Sequence, residues 1–148
     1  MNMLAIGCDH GGYALKEEVK KHLDERGIEY IDCGCNGESV DYPVIASETC
    51  AHITSGECER GLLFCGTGIG ISIAANKTPG IRAACCSDYY SAKYTRMHND
   101  ANVLCMGGRV ISSGLACELV DVFLDTAYEG GRHQRRVDML TELDKKKQ

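Results

Sequence analysis

The chain has 148 residues, 44% apolar and 25% charged, with 16 Lys plus Arg against 21 Asp plus Glu for a formal net charge of −5. That size and balance describe one soluble globular domain over residues 1–148, large enough to bury its own core, and exclude a disordered chain. The acidic balance excludes nucleic acid as a partner, no apolar run approaches the roughly 18 residues that span a bilayer, and MNMLAIGCDHGG lacks the features of a secretion signal, so a cytoplasmic protein is expected.

Met3–Cys8 reads as a first strand. Leu15, Val19 and Leu23 then recur every four residues among Lys and Glu, which predicts an amphipathic helix ended by Gly27. Glu29–Cys33 is a second strand, and Pro43 opens a helix where its missing N–H costs nothing. Gly61–Cys65 is a third strand, followed by the loop Gly66-Thr67-Gly68-Ile69-Gly70 and a helix through about Asn76. Ile81–Cys86, Asp88–Met97, Asn102–Met106 and Ser112–Ala127 continue as strand, helix, strand, helix, and a terminal helix runs from about Arg132 toward Lys147 after the break at Gly130–Gly131. Strands alternating with helical segments predict a single doubly wound α/β domain: a Rossmann-like parallel five-stranded sheet, helices on both faces and a C-terminal helix.

Ligands of such folds bind beyond the carboxyl ends of the strands. There the chain places Asp9-His10-Gly11-Gly12 after strand one, Cys65 and the glycine loop after strand three, and Gly107-Gly108-Arg109 after strand five. Gly66 to Gly70 opens a helix, where clustered N–H groups and the helix dipole suit an anion, a phosphate or a developing oxyanion; a tight turn with no ligand is the plain alternative. The dinucleotide fingerprint fits poorly, because its third small position falls on Ile71, although Asp88 lies near the spacing of a ribose-binding acid. A thiol just before such a loop is favoured as thiolate, so Cys65 is either a base or nucleophile or one more buried strand-end cysteine. The ten cysteines include no Cys-x-x-Cys pair, which argues against a disulfide scaffold or a redox protein, and Cys8, Cys65, Cys85, Cys86 and Cys105 read as small buried hydrophobes. His10, beside Asp9, and His98, at a helix end, are acid–base candidates if they gather in one strand-end cluster. Arg132 and Arg136, four apart on one helix face, suit a phosphate, with a solvated surface as the alternative.

The segments IGCDHGGYALK, ESVDYP, FCGTGIGISIAANKTPGIRAA, HNDANVL, GGRV and YEGGRHQRRV, in order over nearly the whole chain, resemble the type B ribose-5-phosphate isomerases and their wider group of galactose- and allose-phosphate isomerases. The resemblance implies a cofactor-free, metal-independent interconversion of ribose 5-phosphate and ribulose 5-phosphate through a cis-enediolate. It assigns Cys65 as the base, Gly66, Thr67, Gly68, Ile69 and Gly70 as the oxyanion and substrate cradle, and His98, with Thr67 nearby, as the acid that opens the sugar ring. Asp9 and His10 hold the sugar, Tyr42 lines the pocket, and Asn99, Arg109, Arg132 and Arg136 complete the substrate contacts, the arginines on the phosphate. A branch of the family replaces the cysteine by a glutamate six residues on; here that position is Ile71, which leaves Cys65 as the base. The retained His98-Asn99-Asp100 and Gly131-Arg132-His133 favour a five-carbon sugar over a six-carbon one such as galactose 6-phosphate or allose 6-phosphate. The resemblance further implies a homodimer or tetramer whose pocket takes His98 and Asn99 from a neighbour. A sugar-phosphate-binding protein without turnover is the non-catalytic alternative.

Overall fold

A computed structural model describes residues 3–146. Five parallel strands form one sheet: β1 (Leu4–Cys8), β2 (Tyr30–Asp32), β3 (Arg60–Cys65), β4 (Ala83–Cys85) and β5 (Val103–Gly107). Between them run α1 (Tyr13–Glu25), α2 (Tyr42–Thr54), α3 (Ile69–Ala75) and α4 (Tyr89–Asn99); α5 (Ser113–Asp125), a 3₁₀ turn (Gly131–His133) and α6 (Gln134–Lys146) follow. Lys147, toward which the terminal helix was expected to run, lies outside the described residues. No helix among those residues is long and apolar enough to cross a membrane.

Strands of a covered parallel sheet bury both faces, so β1, β5 and all of β3 beyond Arg60 are apolar, and their period of two sorts side chains between two cores. Leu4, Ile6, Leu62, Phe64, Leu104 and Met106 pack with Leu15, Val19 and Leu23 of α1 and Leu119 and Phe123 of α5. Ala5, Leu63, Cys65, Val103 and Cys105 point the other way, against Ala46 and Cys50 of α2 and Ile71 and Ala75 of α3. The edge strands β2 and β4 are shorter than the sequence pattern suggests, three residues each, because each finds ladder partners on one side only.

The strand order is β2-β1-β3-β5-β4. The chain leaves β1 toward one edge and β3 toward the other, so the loops after these neighbours diverge at the carboxyl edge, the switch point at which sheets of this kind bind ligands. β5 lies between β3 and β4 and brings its own loop to the same place.

Candidate active site

Three loops meet over this switch point through their backbones. The N–H of Asp9 donates to the Phe64 carbonyl (3.1 Å), that of Gly108 to the Cys65 carbonyl (2.8 Å), and that of Arg109 to the Gly66 carbonyl (3.0 Å). Glycine is required where they touch: a Cβ on Gly107 would lie 2.6 Å from the Thr67 carbonyl, and one on Gly108 2.5 Å from the Gly11 carbonyl oxygen. Asp9 shapes its own loop, its Oδ1 accepting the N–H groups of Gly11 (2.9 Å) and Gly12 (3.2 Å). His10 is exposed beside it.

Cys65 ends β3 with its side chain directed to the α3 face, and its Sγ accepts the N–H of Gly68 at 3.1 Å. Gly68 can turn that amide onto the sulfur because its φ is +81°, the left-handed region. The Ile69 N–H is also committed inside the loop, to Thr67 Oγ1 at 3.2 Å. Tyr42 reaches over the loop from the first turn of α2; a Cβ on Gly70 would stand 2.9 Å from its Cζ. Arg109 lies against Gly66, where a Cβ would meet its Nη1 at 3.0 Å.

Other thiols are poorly placed to act as bases. Burial pushes Cys50 and Cys86 up to about 12 and raises Cys105 well above the ordinary thiol value. Cys8 is likewise driven to about 12, chiefly by burial, although the Lys16 ammonium pulls the opposite way. All ten cysteines are free. Cys85, expected among the buried hydrophobes, is exposed: it is the last residue of an edge strand, and its Sγ faces the Thr67 carbonyl at 3.7 Å.

Within one chain His10 and His98 do not share a strand edge. α4 runs back from the carboxyl end of β4, so His98 and Asn99, at its C-terminus, lie at the amino edge of the sheet. There Arg82, just before β4, donates through Nε to the carbonyls of Asn99 (3.1 Å) and Asp100 (3.0 Å). Arg132 and Arg136 lie on this side too: the His133 ring stacks on His98 at 4.1 Å between centroids, and Arg136 Nη1 donates to the Arg132 carbonyl at 3.0 Å. β3 spans six residues between the two edges, about 16 Å at the usual strand rise. The structure therefore unites Asp9, His10, Tyr42, Cys65 to Gly70 and Arg109 at one edge, and His98, Asn99, Arg132 and Arg136 at the other.

The amino-edge group is scaffolded by Arg96, Asp100 and Glu129. Arg96, buried, donates through Nη1 to Asp100 Oδ1 (2.9 Å) and the Ala101 carbonyl (2.7 Å) and through Nε to the Thr126 carbonyl (3.2 Å). Asp100 caps α4 with φ at +48°, a conformation Asn and Asp tolerate better than other residues with side chains. Glu129 approaches His98 Nε2 through Oε2 at 3.7 Å. Desolvation, then His98 and Arg132, hold the His133 imidazole below its ordinary value. Among the described residues, His98, Glu129 and His133 form a group whose donor atoms could gather on a metal ion. The signal for Asp100 was present in the Asn-Asp pair after a helical segment; nothing local marks Glu129.

A family model described as Ribose/Galactose Isomerase matches residues 4–140. The chain is 51% identical over 148 residues to the ribose-5-phosphate isomerase B of Escherichia coli (strain K12), covering 99% of each. Among solved structures it is similar to ribose-5-phosphate isomerase B of Clostridium thermocellum, with a TM-score of 0.96, 50% identity and all of both chains covered. It is also similar to a ribose 5-phosphate isomerase of Thermotoga maritima, with a TM-score of 0.93 and 47% identity over 95% of this chain and 98% of that one.

Proposed function

Because this chain belongs to the ribose/galactose isomerase family, we propose that it interconverts ribose 5-phosphate and ribulose 5-phosphate, with Cys65 carrying the proton between C2 and C1. The Cys65 thiolate removes the proton from C2 of the open-chain aldose. The electron pair released forms the C1–C2 double bond, and the carbonyl oxygen on C1 becomes the oxyanion of a cis-enediolate. The sulfur then returns its proton to C1, while the hydroxyl proton on O2 passes to O1 and leaves a ketone at C2. His98 opens the furanose by moving a proton from the anomeric hydroxyl to the ring oxygen. Asp9 and His10 hold the sugar, Tyr42 closes the pocket over Gly70, and Arg109, Arg132 and Arg136 take the phosphate, whose charge suits guanidinium forks. The loop amides of Gly66, Thr67 and Gly70 face the developing oxyanion, those of Gly68 and Ile69 being committed to Cys65 and Thr67.

The observation that carries this reading is the Gly68 N–H on Cys65 Sγ, a buried sulfur at the carboxyl end of β3 beneath the glycine loop. A thiolate is the form such a donor stabilises. The test is Cys65→Ala: the fold, read by circular dichroism and melting temperature, is expected to persist, ribose 5-phosphate still to bind, and turnover to vanish. Substantial retained turnover would assign the proton transfer to another group, and rates on ribose 5-phosphate, allose 6-phosphate and galactose 6-phosphate decide between five- and six-carbon substrates.

The same reading requires two copies of the chain. Cys65 and His98 stand at opposite edges of one sheet, so a second copy must present its amino edge to the carboxyl edge of the first, an isologous arrangement that builds two equal pockets. Exposed apolar side chains suit such a contact: Tyr42, Ile69 and Ile73 around the glycine loop, and Met139, Leu140 and Leu143 along α6. Ten free cysteines fit a reducing, cytoplasmic setting.

A further inference from the structure

At the amino edge two imidazoles and a carboxylate converge from three separate pieces of chain. His98 comes from the last turn of α4, His133 from the 3₁₀ turn, and Glu129 from the connection after α5, which is tied to α4 by its own N–H on the Met97 carbonyl at 3.0 Å. One nitrogen of each ring and one carboxylate oxygen all lie within 4.8 Å of one another. The rings are stacked 14° from parallel with centroids 4.1 Å apart, and Tyr94 backs His98 edge-on at 5.1 Å. One nitrogen is without a function in this arrangement: His133 Nε2 is shielded from solvent and has no hydrogen-bond partner, a costly state for a polar atom.

We infer that His98, Glu129 and His133 form a binding site for one divalent transition-metal ion of the zinc type, and that the bound ion switches isomerisation off by occupying His98. Imidazole nitrogen suits zinc, nickel, copper and cobalt, whereas magnesium and calcium seek oxygen-only shells. Three protein ligands with an open fourth position match the donor count of open zinc sites. Tetrahedral bonds of about 2.1 Å place donors about 3.4 Å apart, so the three atoms must close by about 1.4 Å at most. Rotation of the exposed Glu129 side chain brings its oxygen in, and one imidazole must swing out of the stack about its own side-chain bonds, because the in-plane lone pairs of near-parallel rings do not meet on one ion. Coordination through Nε2 would give that atom of His133 the partner it lacks.

The ion site stands on this geometry alone; its effect on turnover rests on the isomerase reading, since an imidazole whose lone pair is held by a metal can no longer exchange a proton with the sugar ring.

Cobalt(II) tests the site in the native protein, because tetrahedral cobalt absorbs in the visible and cobalt–thiolate bonds add a strong near-ultraviolet band. One ion per chain is expected, with the visible band and without the thiolate band. Loss of even an outer-shell partner costs metal sites about tenfold or more, so Glu129→Gln and His133→Gln should each weaken cobalt binding by at least about tenfold. Circular dichroism confirms that each variant is folded. The site is refuted if no visible band develops, if the thiolate band accompanies it, or if both variants bind cobalt as the parent does. Zinc chloride should then inhibit ribose 5-phosphate turnover reversibly on chelation, at higher concentration in Glu129→Gln. Cobalt binding as described with turnover untouched by zinc would overturn the switch alone. A protein that isomerises no sugar phosphate would overturn the functional reading and leave the cobalt result to decide the site.

Discussion

A single backbone amide governs the sulfur at the centre of the proposed chemistry. Gly68 points its N–H at Cys65 from a left-handed conformation, and a Cβ there would stand 2.8 Å from the Met106 carbonyl carbon and 3.1 Å from Cys85 Sγ. Gly68→Ala is therefore expected to lose about 1–2 kcal/mol from backbone strain alone, and more from the clash with backbone that cannot move aside. Urea unfolding reads that loss, and kcat should fall with it as the amide swings off the sulfur. Arg136 makes a different prediction. Its side chain is exposed and, among the described residues, donates to the Arg132 carbonyl, so Arg136→Ala should leave the melting temperature within a degree or two while raising KM for ribose 5-phosphate by about tenfold or more, the worth of a charged hydrogen bond to phosphate. Cys65 was legible in the sequence because it ends an apolar run and precedes three glycines, a purely local pattern. Glu129 was not, because its meaning lies in the distance to His98 and not in its neighbours.

At the scale of elements, the end of β2 is held by α1. Lys16 is fully buried, and its ammonium donates to Asp32 Oδ1 and to the Cys35 carbonyl, both at 2.8 Å, while Lys20 holds Asp32 Oδ2 at 2.9 Å. The sequence pattern places Lys residues of α1 on the solvent face, yet Lys16 shares the i, i+3, i+7 line with Val19 and Leu23, a signal that the regular Leu15-Val19-Leu23 spacing masks. Burial raises the Asp32 carboxyl, but hydrogen bonds from Lys16 and Lys20 outweigh it and hold the group below its ordinary value. A carboxyl that titrates lower folded than unfolded gives stability that is complete above the unfolded value near pH 4 and drains away as pH falls through the folded one. Lys16→Met removes one partner of that pair and leaves a buried carbonyl unsatisfied, so it should cost about 3 kcal/mol at neutral pH. Chemical denaturation at neutral pH and again well below pH 4 checks this: the gap between parent and variant should narrow in acid.

The whole molecule presents half of each proposed pocket at either edge of its sheet, and that division makes a sharp prediction. Cys65→Ala and His98→Ala should each be inactive alone. Mixed, dissociated and reassembled, they form heterodimers with one intact pocket and one doubly altered, and random pairing should restore about a quarter of the parent activity. Sedimentation should show a dimer or larger assembly throughout, whereas a fully active monomer would contradict the shared pocket. The amino-acid sequence by itself determined the alternation of strands and helices, the two-faced sheet, the C-terminal helix and the glycine loops beyond the strand ends, because periodicity and turn chemistry act between residues close along the chain. Only the tertiary structure decided that β5 inserts between β3 and β4, that Lys16 turns inward, and that His98, Arg132 and Arg136 stand at the opposite edge of the sheet from the sulfur. Each of those depends on where a crossover returns the chain and on which surfaces then meet, and the spacing of residues along a single segment carries no record of either.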